Sequence, residues 1–146
     1  MNREILFRGK RVDNGEWVNG YLVKKIDPLY TDIETHCILH QERDNCGCLM
    51  SLMTWTRVDV ETVGQYTGLN DKNGVKIFEG DIVTIENPNI SDDEYGIVKF
   101  DNDGAMFIVK FDTFTVDFGN NIDGNQCEII GNIFDNSELL KGEENE

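Results

Sequence analysis

The chain has 146 residues, with 13 Lys and Arg against 28 Asp and Glu, so its formal net charge is −15 at pH 7. This length accommodates one domain or two small ones and a core that needs neither disulfides nor metal. The longest unbroken apolar run, at residues 105–109, excludes a membrane span of about 20 residues, and the acidic balance disfavours nucleic-acid binding, which depends on Lys and Arg.

The first predicted element is a β-hairpin at the N-terminus. Residues 5–12 and 17–23 are two short runs rich in apolar side chains, and they are interrupted by Asp13-Asn14-Gly15-Glu16. Asn-Gly supplies the positive φ angles of a type I′ turn, whose twist suits antiparallel strands. We expect no secretory signal, because only Ile5-Leu6-Phe7 precedes Arg8. The expected compartment is therefore the reducing cytoplasm, where thiols stay free.

The sequence does not decide the conformation of the segment from Pro28 to Arg57. Tyr30 to His40 fits a strand or a loop, and Leu49 to Trp55 fits a strand or a short helix. Five candidate zinc ligands fall within this segment, namely His36, Cys37, His40, Cys46 and Cys48. Their spacing misses the usual pattern of paired ligands, because only Gly47 separates the last two cysteines. In a strand, His36 and His40 would share a face and Cys37 would point away. The spacing favours free thiols, with zinc binding as the alternative.

From about residue 60 the pattern predicts five or more short strands joined by tight turns. Two hairpins centre on Asn73-Gly74 and Asn102-Asp103-Gly104, and further strands cover residues 81–85 and 127–134. Asn87 to Glu94 reads as an exposed loop. The fold class is thus mainly β, an antiparallel hairpin region followed by a small SH3-like barrel. The predicted division is 1–59 for the hairpin and variable region, 60–140 for the barrel, and 141–146 for a frayed acidic tail.

No constellation of catalytic residues is found. The serines lie in no Gly-x-Ser-x-Gly elbow, and no phosphate-binding glycine loop is present. We therefore assign no catalytic, cofactor-binding or metal residue. Five aromatic side chains either line a peptide groove or, as we favour, pack the fold or a subunit contact: Trp17, Tyr21, Tyr66, Tyr95 and Phe100.

Several runs resemble the YopX-like family of phage and prophage proteins. These are Arg3–Lys10 (REILFRGK), Val63–Gly74 (VGQYTGLNDKNG) with Ile77–Val83 (IFEGDIV), and Glu128–Asn136 (EIIGNIFDN). Pro28 to Trp55 shows no family pattern. The resemblance implies a C-terminal SH3-like barrel and brings no catalytic residue, since the family is uncharacterised. Its glycines and apolar residues also have a plain reading as turns and core.

Charge is unevenly distributed. The first 25 residues carry six basic and three acidic residues, a net +3, whereas the remainder carries a net −18. Complementary surfaces of this kind favour a homo-oligomer. We therefore expect a non-catalytic accessory protein of a phage or prophage that binds itself and a host or phage protein. The alternatives are a zinc-binding protein and an acidic mimic of nucleic acid.

Overall fold

The computed structural model describes residues 3–26, 34–42, 52–119 and 122–141, and within them the chain is mainly antiparallel β, as predicted. The elements in chain order are β1 (Phe7–Arg11), β2 (Trp17–Ile26), β3 (Glu34–Glu42), β4 (Leu52–Asn70), β5 (Lys76–Phe78), β6 (Asp81–Ile85), β7 (Gly96–Asp101), β8 (Met106–Lys110), β9 (Thr115–Asp117), a 3-10 turn (Gly124–Gln126), β10 (Cys127–Asn132) and α1 (Glu138–Lys141).

The chain divides into two compact units, Met1–Gln65 and Tyr66–Glu146, here called the first and the second unit. Strand β4 contributes to both, since its residues up to Gln65 belong to the first unit and its last residues to the second. The division at residue 60 and the closure of an SH3-like barrel stay predictions. The mainly β class itself is confirmed.

The strands of the first unit pair in a closed circuit. Strand β1 pairs with β2, β2 with β3, and β3 with β4, while β1 also pairs with β4. This is geometrically feasible because β4 is long: its residues up to Arg57 pair with β3, and those from Val58 pair with β1. Two glycines permit close approach, because a Cβ on Gly9 would lie 2.9 Å from Cβ of Val58, and one on Gly20 would collide with the Leu39 carbonyl.

The second unit contains an antiparallel sheet in the order β10-β6-β7-β8-β9. Alternation along its strands directs apolar side chains to one face, and together with neighbouring loops they form a core. Its buried members are Ile77, Val83, Ile85, Ile90, Val98, Val109, Phe111, Ile122 and Cys127. Ile90 corrects one expectation, because the exposed loop predicted at residues 87–94 turns this side chain into the core.

All three predicted hairpins are confirmed, but the type I′ turn is wrong. That turn needs positive φ at both central residues, whereas in the first two hairpins only the glycines adopt it, at +74° for Gly15 and +81° for Gly74. In the third hairpin the positive φ falls on Ala105, at +53°. The loops are three or four residues long, at residues 12–15, 72–74 and 102–105, and the left-handed position is the last residue of each loop.

The segments whose conformation the sequence left open are strands where the structure describes them. Residues 34–40 lie in β3, and β4 begins at Leu52, so the loop and helix alternatives are wrong for those residues. Cys46, Cys48 and the tail at 142–146 lie outside the described residues.

Candidate functional site

Three large side chains lie side by side on one face of the first unit. The register pairs Tyr21 of β2 with Leu39 of β3, and Leu39 with Trp55 of β4. Facing residues on adjacent strands have Cβ atoms about 5 Å apart, so the three form a continuous row. Tyr21 is 58% exposed and Trp55 is 54% exposed. The row is therefore an exposed apolar strip, a feature often found at interaction sites, and it is the candidate site of this chain.

The row extends to Met53, which lies two residues before Trp55 and is also exposed. We call Tyr21, Leu39, Met53 and Trp55 the aromatic face. A groove of about 700 Å³ follows one end of it, bounded by Leu6 and the strands that carry Tyr21, Leu39 and Met53. The surface is therefore concave next to the exposed apolar side chains, a shape that is common in binding sites.

Cations flank the groove around Trp17. The Arg8 guanidinium lies 4.6 Å from the centre of the indole ring, and the Lys10 ammonium lies 5.5 Å from it. Both distances are within the range of cation–π attraction. Because the indole is already occupied by two cations, Trp17 holds the edge of the first hairpin together rather than standing free for a ligand.

The aromatic face is exposed because the opposite side chains of the same strands turn inward. Ile38 and Val58 are buried, and Thr56 is buried beside His40, whose Nε2 lies 2.7 Å from the threonine Oγ1. Strand β4 thus reads polar inward and aromatic outward around Trp55, the reverse of the usual alternation. The alternation of Met53 and Trp55 with threonines is a local signal for a strand, but it does not show which side of the strand is exposed.

The structure places three of the five candidate zinc ligands, His36, Cys37 and His40, along one strand, β3. His36 and His40 share a face of β3 and Cys37 has the opposite parity, as expected for a strand. Four residues of extended chain place the two histidines roughly 13 Å apart. No group of three His, Cys, Asp or Glu side chains that could hold a metal forms within the described ranges. Cys46 and Cys48 fall outside those ranges.

The two described cysteines, Cys37 and Cys127, are buried thiols. Burial, with added repulsion from Asp123 and Asp71, raises the pKa of Cys127 to about 12. A thiol with so high a pKa carries almost no thiolate at neutral pH, and the thiolate is the reactive form. Cys127 therefore serves the core and not nucleophilic chemistry.

The five aromatic residues singled out from the sequence do not share one groove. Tyr66 is buried, stacks obliquely on Phe78 at 5.6 Å, and donates its hydroxyl hydrogen bond to Asn70. Phe100 packs edge-on against Phe107. Only Tyr21 belongs to the aromatic face, whereas Leu39, Met53 and Trp55 were missed because their segment had no assigned conformation.

Asp71 is a buried carboxylate with a structural role. Its Oδ1 accepts hydrogen bonds from the backbone N–H groups of Asn73 and Val75, and its Oδ2 accepts one from Ile129. Burial alone would raise the pKa of Asp71, but these backbone donors, helped by Lys72, outweigh it and hold the pKa below its ordinary value. The carboxylate thereby joins the turn after β4 to β10.

No helix in the described part of the chain is both long enough and apolar enough to cross a membrane. The described residues thus form a mainly β chain with an exposed aromatic face. Residues 6–141 match the model of the YopX family, described as YopX protein. The chain therefore belongs to the YopX family, which confirms the resemblance noted from its sequence.

No curated protein matches the chain. Among solved structures, it is similar to the crystal structure of protein EF1440 from Enterococcus faecalis, with a TM-score of 0.53 and 22% identity. The alignment covers 95% of this chain and 99% of that one. At this level of identity the similarity supports the fold alone.

Proposed function

We propose that the protein is a non-catalytic interaction module that binds a partner protein through the aromatic face. The observation that carries the proposal is the row formed by Tyr21, Leu39 and Trp55 in direct register across three strands. Its two aromatic side chains are more than half exposed. Trp and Tyr each bury 150–250 Å² in a contact and are enriched among the residues that dominate binding energy.

The physical argument for a partner is the cost of leaving this face in water. Burial of apolar area is worth about 25 cal/mol per Å², so covering one such aromatic ring yields several kcal/mol before the costs of association. The fold could have reduced this exposed area by placing polar residues outward, as it does at Asn19 and Gln41 on the same strands. We therefore infer that the apolar side chains of the aromatic face contact a partner protein.

The family supplies the biological setting of the proposal. The sequence resembles YopX-like proteins of phages and prophages. We therefore propose that this chain is an accessory protein in the cytoplasm of a bacterial host. Within that setting the partner of the aromatic face is a host or phage protein. Nothing in the proposal requires a substrate or a cofactor.

Self-association is the second part of the proposal. Residues 66–146 carry five basic and 18 acidic residues, a net −13, whereas the first 25 residues carry a net +3. The basic first hairpin of one copy is thus complementary to the acidic second unit of another. Light scattering at micromolar concentration tests this, with an oligomer expected at low salt. A monomer at both low and high salt contradicts it.

Affinity capture from extract of the host cell tests the binding function. The bait is the full chain, compared with a Trp55→Ser variant and with Phe100→Ser, which changes an exposed aromatic residue of the second unit. We expect a specific protein that the wild type and Phe100→Ser retain and Trp55→Ser loses. Equal recovery with all three baits contradicts a role for the aromatic face.

The zinc-binding alternative requires ligands from Cys46 and Cys48 together with His36, Cys37 or His40. Elemental analysis of protein purified without chelator decides it, and less than about a tenth of an equivalent of zinc eliminates it. The nucleic-acid mimic draws on the net −13 of residues 66–146. Salt-sensitive competition with DNA for a basic host protein is the test of that alternative.

A further inference from the structure

A second surface feature lies in the second unit and is not part of the aromatic face. It is a cleft of about 510 Å³, bounded by the loop before β7, the segment after β8, and α1. This volume is within the range of 300–1,000 Å³ that is usual for ligand sites. The cleft is therefore large enough for two or three side chains of a bound segment.

The floor of the cleft is apolar and held in place by the core. Phe111 is buried, and its ring stacks on Phe114 with 4.6 Å between centroids and 16° between planes. The Phe111 N–H donates a 2.9 Å hydrogen bond to the Phe114 carbonyl, which closes the turn between them. Ile97 and the leucines of α1, Leu139 and Leu140, complete the apolar lining.

The rim of the cleft is acidic. Asp93, Glu94 and Asp112 line it and are exposed, and no Lys, Arg or His is among its lining residues within the described part of the chain. The backbone N–H groups of Asp93 and Glu94 donate hydrogen bonds to Ser91, at 3.3 and 3.1 Å, which fixes that side of the rim. We call this feature the acid-rimmed cleft.

We propose that the acid-rimmed cleft binds a segment of another protein that presents Arg or Lys next to an aromatic or aliphatic side chain. An apolar side chain that packs against the stacked phenylalanines gains free energy because it leaves water. A cation next to that side chain can donate hydrogen bonds to the rim carboxylates. A neutral apolar segment would leave the carboxylates without a counter-charge, and an acidic one would be repelled.

This site goes beyond the proposed function, since it names a different surface and a defined ligand chemistry. The two therefore fail separately. A Trp55→Ser variant, which removes the largest side chain of the aromatic face, is expected to keep full binding at the cleft. Loss of both together would show that one surface had been mistaken for two.

The test is a titration of the full chain, labelled with ¹⁵N, with the capped dipeptide acetyl-Phe-Arg-amide, followed by amide NMR shifts. We expect saturable shifts at Ile97, Phe111, Thr113 and Leu139, and an affinity at least about tenfold weaker for acetyl-Phe-Glu-amide. Added salt weakens the first peptide more than the second, because its cation contacts exposed carboxylates.

A pair of matched variants locates the charge effect. Asp112→Asn removes one exposed carboxylate from the rim, and Asp103→Asn removes one exposed carboxylate from the turn between β7 and β8 of the same unit. We expect a severalfold loss of affinity for the Arg peptide with the first variant and no change with the second.

Four outcomes overturn the proposal. They are the absence of saturable shifts up to about 10 mM peptide, equal binding of the Arg and Glu peptides, equal effects of the two variants, and shifts of the same amides with protein concentration alone. The last outcome would identify a second copy of this chain as the occupant of the cleft.

Discussion

Both units are built from antiparallel strands, but they differ in where their large apolar side chains lie. In the second unit, apolar side chains converge on a core that includes Ile77, Val83 and Val109, all with no measurable exposure. In the first unit, Tyr21, Met53 and Trp55 remain 45–58% exposed, while Thr56 and Thr62 are buried. Strand patterning thus fills a core in the second unit, whereas in the first it leaves large side chains in water, for which we propose a contact role.

The buried threonines of the first unit explain how it stays ordered with polar groups inside. Thr62 donates its hydroxyl hydrogen bond to the Asp59 carbonyl at 2.6 Å and accepts one from the Lys10 N–H at 2.9 Å. Satisfied hydroxyls cost little when buried. The β-branched side chains still favour extended backbone, so the strand is kept while its large apolar residues face outward.

The largest expected effect is on the buried carboxylate of the second unit. Asp71→Ala leaves three backbone N–H groups without their acceptor, and we expect a loss of roughly 3–5 kcal/mol in the free energy of unfolding. The measurement is urea denaturation followed by circular dichroism. Asp13→Ala is the control, because Asp13 also follows a strand but is exposed and paired only with Arg11. A similar midpoint shift in both variants would remove the contrast.

The next largest effect on the free energy of unfolding is expected from truncation of a core side chain in the second unit, compared with truncation of an exposed side chain in the first. Ile77→Ala empties a fully buried site in the main core and is expected to lower the free energy of unfolding by about 2–5 kcal/mol. Met53→Ala removes an exposed side chain, and its expected effect is below about 0.5 kcal/mol. Chemical denaturation of both variants checks this, and a cost for Met53→Ala comparable to that of Ile77→Ala would place Met53 in a core.

The pH dependence of stability sharpens the role of Asp71. Its folded-state pKa is held below the ordinary value of 3.8, so its contribution is complete above that pH and is lost as pH falls through the folded pKa. The stability difference between wild type and Asp71→Asn is therefore constant above about pH 5 and shrinks below 3.8. Thermal unfolding across this range measures it, and a difference that grows as pH falls would contradict the assignment.

The smallest expected effect is at the turn between β7 and β8. Ala105 has φ of +53°, which a residue with a Cβ adopts at a cost. We expect Ala105→Gly to leave stability unchanged or raise it by up to about 1 kcal/mol, since glycine relieves the strain but is more flexible when unfolded. A Gly74→Ala variant, at φ +81°, is expected to lose stability. A loss in Ala105→Gly larger than that in Gly74→Ala would refute this account of the turns.

Much of the fold was predictable because its signals are local. Period-two patterning and Asn-Gly or Asp-Gly pairs located the three hairpins and β6, since both depend on neighbouring residues. The turn type was not predictable in the same way. Loops longer than two residues leave Asn14 and Asn73 outside the left-handed region, and loop length depends on how the flanking strands pair.

The candidate site was less predictable because it depends on pairing between distant segments. Tyr21 was singled out from the sequence, but its neighbour Leu39 comes from a segment that fits a strand or a loop, and Trp55 comes from one that fits a strand or a short helix. Their adjacency follows only from the register of β2, β3 and β4. The acid-rimmed cleft likewise combines residues 93–97, 111–114 and 139–140, a set that no local pattern connects.

The most direct test of the central claim is the free energy of unfolding of a Tyr21→Ser/Trp55→Ser double variant, measured in urea. If these side chains serve contact, the variant unfolds within about 1 kcal/mol of the wild type. A loss of several kcal/mol, the size expected for truncating buried aromatic residues, would show that the aromatic face is part of the fold's own core.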